Sequence, residues 1–254
     1  MSEQGKDIGE LQNCFVLVVH RIDEYLLKYM YFLQSSSHNI MDFIILYDCA
    51  TYEINVSDYP DFTFYLFNSD KLEGFFHYKN RKLPNPLIAL LEMAKEKLYN
   101  HYLLMESDVV YTGNFCGFLR SVIRTRCDYV HIATDDSNNL VDHWPAEYIC
   151  NNPFENTYFS WSQLFCISHR FLLDLGEFMK KNDSFYYEFL LPTMAYNGDY
   201  SIRQFENFGC RFQLSWGPAD VYEQKYQKEH FPNTFYHPIK DLSIVDYQRS
   251  LIIT

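Results

Sequence analysis

A chain of 254 residues with 48% hydrophobic content holds enough apolar material for one large α/β domain or two small ones. Its net charge of −12, with no basic cluster to offset it, argues against nucleic acid and anionic lipid as partners. Seven scattered cysteines (Cys14, Cys49, Cys116, Cys127, Cys150, Cys166 and Cys210) form no C-x-x-C pair, which argues against a disulfide scaffold or zinc site and for a reducing compartment. There is no apolar run of roughly 18 residues to form a transmembrane helix. The start, Met1 to Asp7, lacks a signal-peptide pattern. The expectation is a cytoplasmic protein; its oligomeric state is open.

Residues 1–12 are polar. Cys14-Phe-Val-Leu-Val-Val19 then reads as a strand buried on both faces, with His20 and Arg21 at its end. Leu26, Leu27, Met30 and Leu33 recur at helical spacing after Asp23. Strands follow at Phe43–Tyr47, ending at Asp48, and at Phe62–Phe67, ending at Asn68-Ser69-Asp70. Asn85-Pro86 is a helix start, with Leu87, Leu90, Leu91, Ala94 and Leu98 as its apolar face. That helix leads into Tyr102-Leu-Leu-Met-Glu-Ser-Asp-Val-Val-Tyr111, a strand that delivers Glu106 and Asp108. Phe115–Arg124 reads as a helix, Tyr129–Ala133 as a strand ending at Thr134-Asp135-Asp136, and 137–157 as a loop. Phe159–Ile167 is extended, and Ser168 caps a helix with Phe171, Leu172, Leu175, Phe178 and Met179 on one face. A further helix is expected over Tyr186–Tyr196, a last strand over Arg211–Ser215, and irregular structure over 217–240. Alternation of this kind implies a mostly parallel sheet covered by helices.

In an extended chain, residues i and i+2 point to one face, so Glu106 and Asp108 can converge. Two converging carboxylates repel unless a cation sits between them, and Mg²⁺ or Mn²⁺ suits oxygen ligands and bridges to phosphate. An acid-x-acid triplet alone is common in solvated turns; its position between two apolar runs gives this one weight. Polar groups also collect at the other strand ends: His20, Arg21, Asp48, Asp70, Asp135 and Asp136. For the acids among them, helix capping is the competing explanation. His237-Pro-Ile-Lys240 forms a second constellation, in which the imidazole can ligate Mn²⁺ and Lys240 can neutralise a phosphate.

Glu106-Ser-Asp108 with Tyr111-x-Gly113 resembles the acid-x-acid region of the GT-A-type nucleotide-sugar glycosyltransferases, with Glu in place of the usual first Asp. Val18-Val-His-Arg21 and Ile44-Ile-Leu-Tyr-Asp48 resemble that fold's first two strand ends, Ser162–Leu172 a segment after its central strands, and Tyr236-His-Pro-Ile-Lys240 its late histidine. The resemblance implies a single GT-A-like, Rossmann-like α/β domain. Residues 13–113 would bind the nucleotide sugar, 114–240 the acceptor, and 241–254 would form a tail. It implies sugar transfer from a nucleoside-diphosphate sugar to a hydroxyl of a glycan or glycoconjugate. Glu106, Asp108 and His237 would hold Mn²⁺ or Mg²⁺, and His20, Arg21, Asp48, Asp70, Ser107 and Lys240 would contact the donor. Glu188 would be the base of an inverting reaction, with Asp135 or Asp136 as runner-up; a first-turn Glu favoured by the helix dipole is the competing explanation for Glu188. Trp144, Trp161 and Trp216 are candidates for stacking on sugar and equally for the core. The rival functions are nucleotidyl transfer or metal-dependent phosphohydrolysis, and a non-catalytic protein with the same fold. The absence of glycine from His20-Arg-Ile-Asp23 counts against nucleotidyl transfer.

Overall fold

The computed structural model describes residues 12–72, 86–133, 153–181, 187–214, 217–229 and 231–245, together with the backbone of 76–78 and 81–83. Asp135, Asp136, Trp144 and Trp216 lie outside the described residues, as does most of the expected 137–157 loop.

Seven strands form the central sheet: β1 (Cys14–Val19), β2 (Asp42–Asp48), β3 (Thr63–Phe67), β6 (His101–Glu106), β8 (Tyr129–His131), β9 (Leu164–Ser168) and β10 (Ile202–Gln204). Their order is β10-β8-β9-β6-β1-β2-β3. All run parallel except β9, which is antiparallel to both β6 and β8. The carboxyl ends of β1, β2, β3, β6 and β8 therefore share one edge. β4 (Phe76–Tyr78) and β5 (Arg81–Leu83) form a separate hairpin. A small second sheet has the order β11 (Arg211–Leu214), β12 (Thr234–His237), β7 (Val110–Tyr111).

Six α-helices are described: α1 (Glu24–Ser37), α2 (Pro86–Glu96), α3 (Phe115–Arg124), α4 (His169–Met179), α5 (Tyr187–Asn197) and α6 (Ala219–Glu229). Side-chain alternation along β1 and β6 sorts the core into two layers. Phe15, Leu17, Leu103 and Met105 pack with α1, α3 and the small sheet. Cys14, Val16, Tyr102 and Leu104 pack with α2, α4 and α5 on the other face. Asp23 caps α1, its Oδ1 accepting from the Tyr25 and Leu26 amides at 3.0 and 2.9 Å, and Ser168 caps α4 as expected, its Oγ accepting from the Phe171 amide at 3.1 Å.

The irregular structure expected over 217–240 is corrected: α6 and β12 lie there. α6 hides from a periodicity reading because only Tyr226 of its eleven residues is buried. β12 is short, and all four of its residues are buried. No described helix is long and apolar enough to cross a membrane.

Asp128 ties three elements together ahead of β8. Its carboxylate accepts from Ser168 Oγ at 2.8 Å, Arg170 Nη2 at 2.7 Å and the Ser201 amide at 3.0 Å. Burial pushes its carboxyl up, but Arg170 and the serine donors outweigh this and hold it well below the usual carboxylate range. A depressed folded value stabilises above the ordinary carboxylate range, and the contribution is lost as pH falls below about 4. Asp128→Ala should cost about 2 kcal/mol in urea unfolding at pH 7, for loss of charge-assisted hydrogen bonds. The difference from the parent chain should shrink as the pH is taken below about 4.

Candidate metal centre

β6 ends at Glu106, which lies on the strand face of Tyr102 and Leu104, toward α5. The chain then turns: the Ser107 amide donates to the Val18 carbonyl at 3.2 Å and the Val109 amide to the Glu106 carbonyl at 3.1 Å. β7 follows directly and pairs antiparallel with β12, Val110 opposite Tyr236 and Tyr111 opposite Phe235. This register carries His237 alongside the turn. The Ile239 amide donating to the Asp108 carbonyl at 2.9 Å extends the pairing past the strand. Nearby, a Cβ at Gly113 would lie 2.5 Å from Asn233 Oδ1 and from the Tyr111 ring, so a larger residue there would displace these side chains.

Five side chains converge as a result. His237 Nε2 lies 3.3 Å from Glu106 Oε2 and 3.4 Å from Asp108 Oδ1. Lys240 Nζ contacts Asp108 Oδ2. Tyr187 Oη, at the start of α5, donates to Glu106 Oε1 at 3.2 Å. Glu223 of α6 accepts from the Lys240 and Asp241 amides at 2.9 and 2.8 Å and so fixes the backbone that carries the lysine. Burial pushes the Asp108 carboxyl up, but His237 and Lys240 outweigh it and hold Asp108 well below the usual carboxylate range. Burial pushes the His237 imidazole down, but its hydrogen bonds to Asp108 and Glu106 prevail and raise it to about 9.

One donor atom each from Glu106, Asp108 and His237 lies within 4.8 Å of the others. Two carboxylate oxygens and an imidazole nitrogen fit Mn²⁺ or Mg²⁺ by chemistry. His237 Nδ1 is buried and has no partner among the described residues, so the carboxylates in front of the ring orient it.

The cluster opens on a cleft of about 380 Å³ along the carboxyl edge of the sheet, lined by Val18, His20, Asp48, Ser69, Ser107, Tyr187 and Lys240 among others. Of the donor-contact candidates, His20, Asp48, Ser107 and Lys240 thus line one space. Asp48 Oδ1 also accepts from the Ala50 and Ser69 amides at 3.0 and 3.1 Å, locking the ends of β2 and β3. Arg21 lies over the Tyr52 ring at 5.6 Å, and Asp70 sits on the exposed turn beside Ser69; neither lines the cleft. Glu188 is fully buried, its Oε1 accepting from Gln163 Nε2 at 3.0 Å and the Ser162 amide at 3.3 Å, and it too is absent from the lining. Trp161 packs edge-on against Phe159. A wider groove of about 750 Å³ at the opposite edge of the sheet offers Asp42, Lys97 and His38 but, among the described residues, no comparable carboxylate cluster. Tyr187 and Glu223 are the contributors that the sequence pattern did not flag. Tyr187 is the neighbour of the singled-out Glu188, and only the strand-face argument for Glu106 points toward it.

No protein-family model and no curated protein sequence matches the chain. Among solved structures, it is similar to a CMP:2-keto-3-deoxy-manno-octonic acid synthetase complexed with CTP (TM-score 0.45, 8% identity, covering 76% of this chain and 88% of that one). It is also similar to 4-diphosphocytidyl-2C-methyl-D-erythritol synthase from Anaerococcus prevotii (0.43, 10%, 76% and 86%). A third is a glucose-1-phosphate thymidylyltransferase from Bacillus anthracis, named as putative (0.41, 10%, 65% and 75%). These neighbours are nucleotidyltransferases rather than glycosyltransferases. A likeness at this level concerns the arrangement of sheet and helices, and the chemistry is decided at the site.

The site has a definite pH signature. A ligating imidazole must be deprotonated. With His237 raised to about 9, Mn²⁺ affinity should rise with pH from 6.5 to 8.5, by up to about tenfold per pH unit. Calorimetric Mn²⁺ titrations at three pH values test this. In the metal-free protein the sign reverses: the histidine's contribution to stability is complete below about pH 6.5 and is lost as pH rises through about 9.

Proposed function

We propose that this chain is a metal-dependent glycosyltransferase that takes a sugar from a nucleoside-diphosphate donor to a hydroxyl acceptor of a glycan or glycoconjugate. The observation that carries the reading is the convergence of Glu106, Asp108 and His237, with Lys240 beside them, behind a cleft at the carboxyl edge of a mostly parallel sheet that Glu106, Asp108 and Lys240 line. Open α/β sheets bind ligands at that edge. In this reading Glu106, Asp108 and His237 hold a divalent cation, with Tyr187 keeping Glu106 in place. A cation so held supplies Lewis-acid stabilisation of the departing diphosphate. Lys240 adds a positive charge beside the phosphates, and His20, Asp48 and Ser107 line the space for nucleoside and ribose. The base for the acceptor hydroxyl is assigned to Asp135 or Asp136, which follow β8 in sequence. A base must reach the proton it takes, and Glu188 is held in the interior by Gln163 and the Ser162 amide.

Nucleotidyl transfer is the second reading, since it too uses strand-end carboxylates and is the reaction of the neighbours named above. The first turn of α1 weighs against it. A triphosphate is commonly cradled by a glycine-rich loop and the helix N-terminus after the first strand. Here no glycine lies between His20 and Asp23, and the Asp23 carboxylate already occupies the Tyr25 and Leu26 amides.

A thermal-shift screen of nucleoside diphosphates and their sugars, with and without Mn²⁺, tests ligand class. A ligand at 100 times its Kd adds about 2.7 kcal/mol, a shift of about 5–11 °C for a domain of this size. A shift that needs no metal would remove Glu106, Asp108 and His237 as ligands. No shift at all would favour a non-catalytic protein. With the donor identified, release of nucleoside diphosphate supports sugar transfer and release of pyrophosphate overturns it. Asp108→Ala should lower turnover by about a hundredfold or more, the scale of losing one preorganised electrostatic contributor, while far-UV circular dichroism stays unchanged.

A further inference from the structure

The two carboxylates of the site are partnered differently. Each gives one oxygen to His237 Nε2. The other oxygen of Glu106 accepts from Tyr187, a neutral hydroxyl on a side chain that is nearly buried. The other oxygen of Asp108 carries the ammonium of Lys240, whose side chain is 63% exposed. A hydroxyl does not repel an arriving cation, and Tyr187 can stay where it is. An ammonium on the same carboxylate does repel it, and Lys240 is free to leave. Its backbone stays in place when it does, because Glu223 Oε1 holds the Lys240 and Asp241 amides and the Ile239 amide is bound to the Asp108 carbonyl. The lysine also lines the cleft, so an ammonium released from Asp108 remains beside any bound phosphate.

We propose that Lys240 is an exchangeable counterion for the metal. It neutralises Asp108 in the metal-free protein, yields that oxygen to a divalent cation, and then pairs with the phosphates of the ligand. The inference rests on the metal-site reading above and adds a coupling to it. While Lys240 sits on Asp108 it opposes metal; once metal and phosphate are both present it binds the phosphate. By linkage the two effects are reciprocal: whatever draws Lys240 onto phosphate tightens the metal, and whatever fills the metal position frees Lys240 for phosphate. A lysine serving only as a phosphate anchor would have no effect on metal binding in the absence of phosphate.

The test is a Mn²⁺ titration of the full chain without nucleotide, by calorimetry, for the parent protein, Lys240→Met, Lys240→Arg and Asp108→Ala. Exchange requires Lys240→Met to bind Mn²⁺ about fivefold to tenfold more tightly than the parent, the scale of a partly exposed charge contact and of modest site coupling. Lys240→Arg, which keeps the charge, should stay within about twofold of the parent on that same scale. At saturating Mn²⁺, inorganic pyrophosphate should bind Lys240→Met about tenfold more weakly, as for loss of a charge-assisted contact. If the parent binds Mn²⁺ and Lys240→Met binds it equally or more weakly, the exchange is overturned and the metal site stands. If the parent binds no more Mn²⁺ than Asp108→Ala does, the metal-site reading fails and the exchange falls with it.

Discussion

The pairing of β7 with β12 is the contact on which the site depends. Two residues of backbone, Val110 and Tyr111, join a segment more than 120 positions away to the turn bearing Glu106 and Asp108. Without it the carboxylates would face each other with neither His237 nor Lys240 as counter-charge, and like charges at that separation destabilise one another. A two-residue ladder is a weak join by itself. Aromatic packing reinforces it: Phe235 stacks on Tyr111 at 4.2 Å and on Phe212 at 5.2 Å, and meets Phe118 edge-on at 5.0 Å. This aromatic cluster anchors the small sheet to α3.

The same logic gives the site its back wall. β6 is covered on both faces, so its alternation assigns Glu106 to the layer of Tyr102 and Leu104. α5 belongs to that layer, and its first residue is Tyr187. Buried Tyr hydroxyls need a partner, and here the partner is Glu106 Oε1. One end of α5 thus holds a site carboxylate through Tyr187, while the adjacent Glu188 secures the approach to β9 through Ser162 and Gln163. Adjacent residues of one helical turn thus serve the site and the scaffold.

How much of this was legible in the sequence follows from how local each signal is. The apolar runs of β1, β2 and β6, the Ser168 cap and the Glu106-x-Asp108 spacing are local, and they survive as read. The reversed direction of β9 is not local: Leu164–Ser168 is buried throughout and carries no mark of its orientation. α6 is missed because its residues are mostly solvent-facing, so no apolar stripe announces it. His237 and Lys240 could be listed as candidates, but nothing in their spacing says which strand they will meet. Glu188 shows the converse limit. A carboxylate among aromatics suits a base or an interior anchor, and only the position of Gln163 and the Ser162 amide separates the two.

Two devices for handling phosphate are available to a strand-helix-strand fold: the amides at a helix N-terminus, or a cation held by carboxylates. The first strand of this chain leads to a helix whose leading amides are already satisfied by Asp23. A phosphate placed there would displace a hydrogen-bonded carboxylate and then stand beside it, at a cost in both lost bonds and repulsion. The fourth strand in sequence to enter the sheet, β6, leads to a carboxylate pair that the chain itself surrounds with an imidazole and an ammonium. The positive charge available to an anionic ligand in this cleft is therefore concentrated at the end of β6. Under the proposed reading, that concentration offsets the net charge of −12 for a diphosphate ligand. In that reading the attraction would come from charges close to the phosphates, where screening by salt is weak, and not from the long-range field of the molecule, which is repulsive.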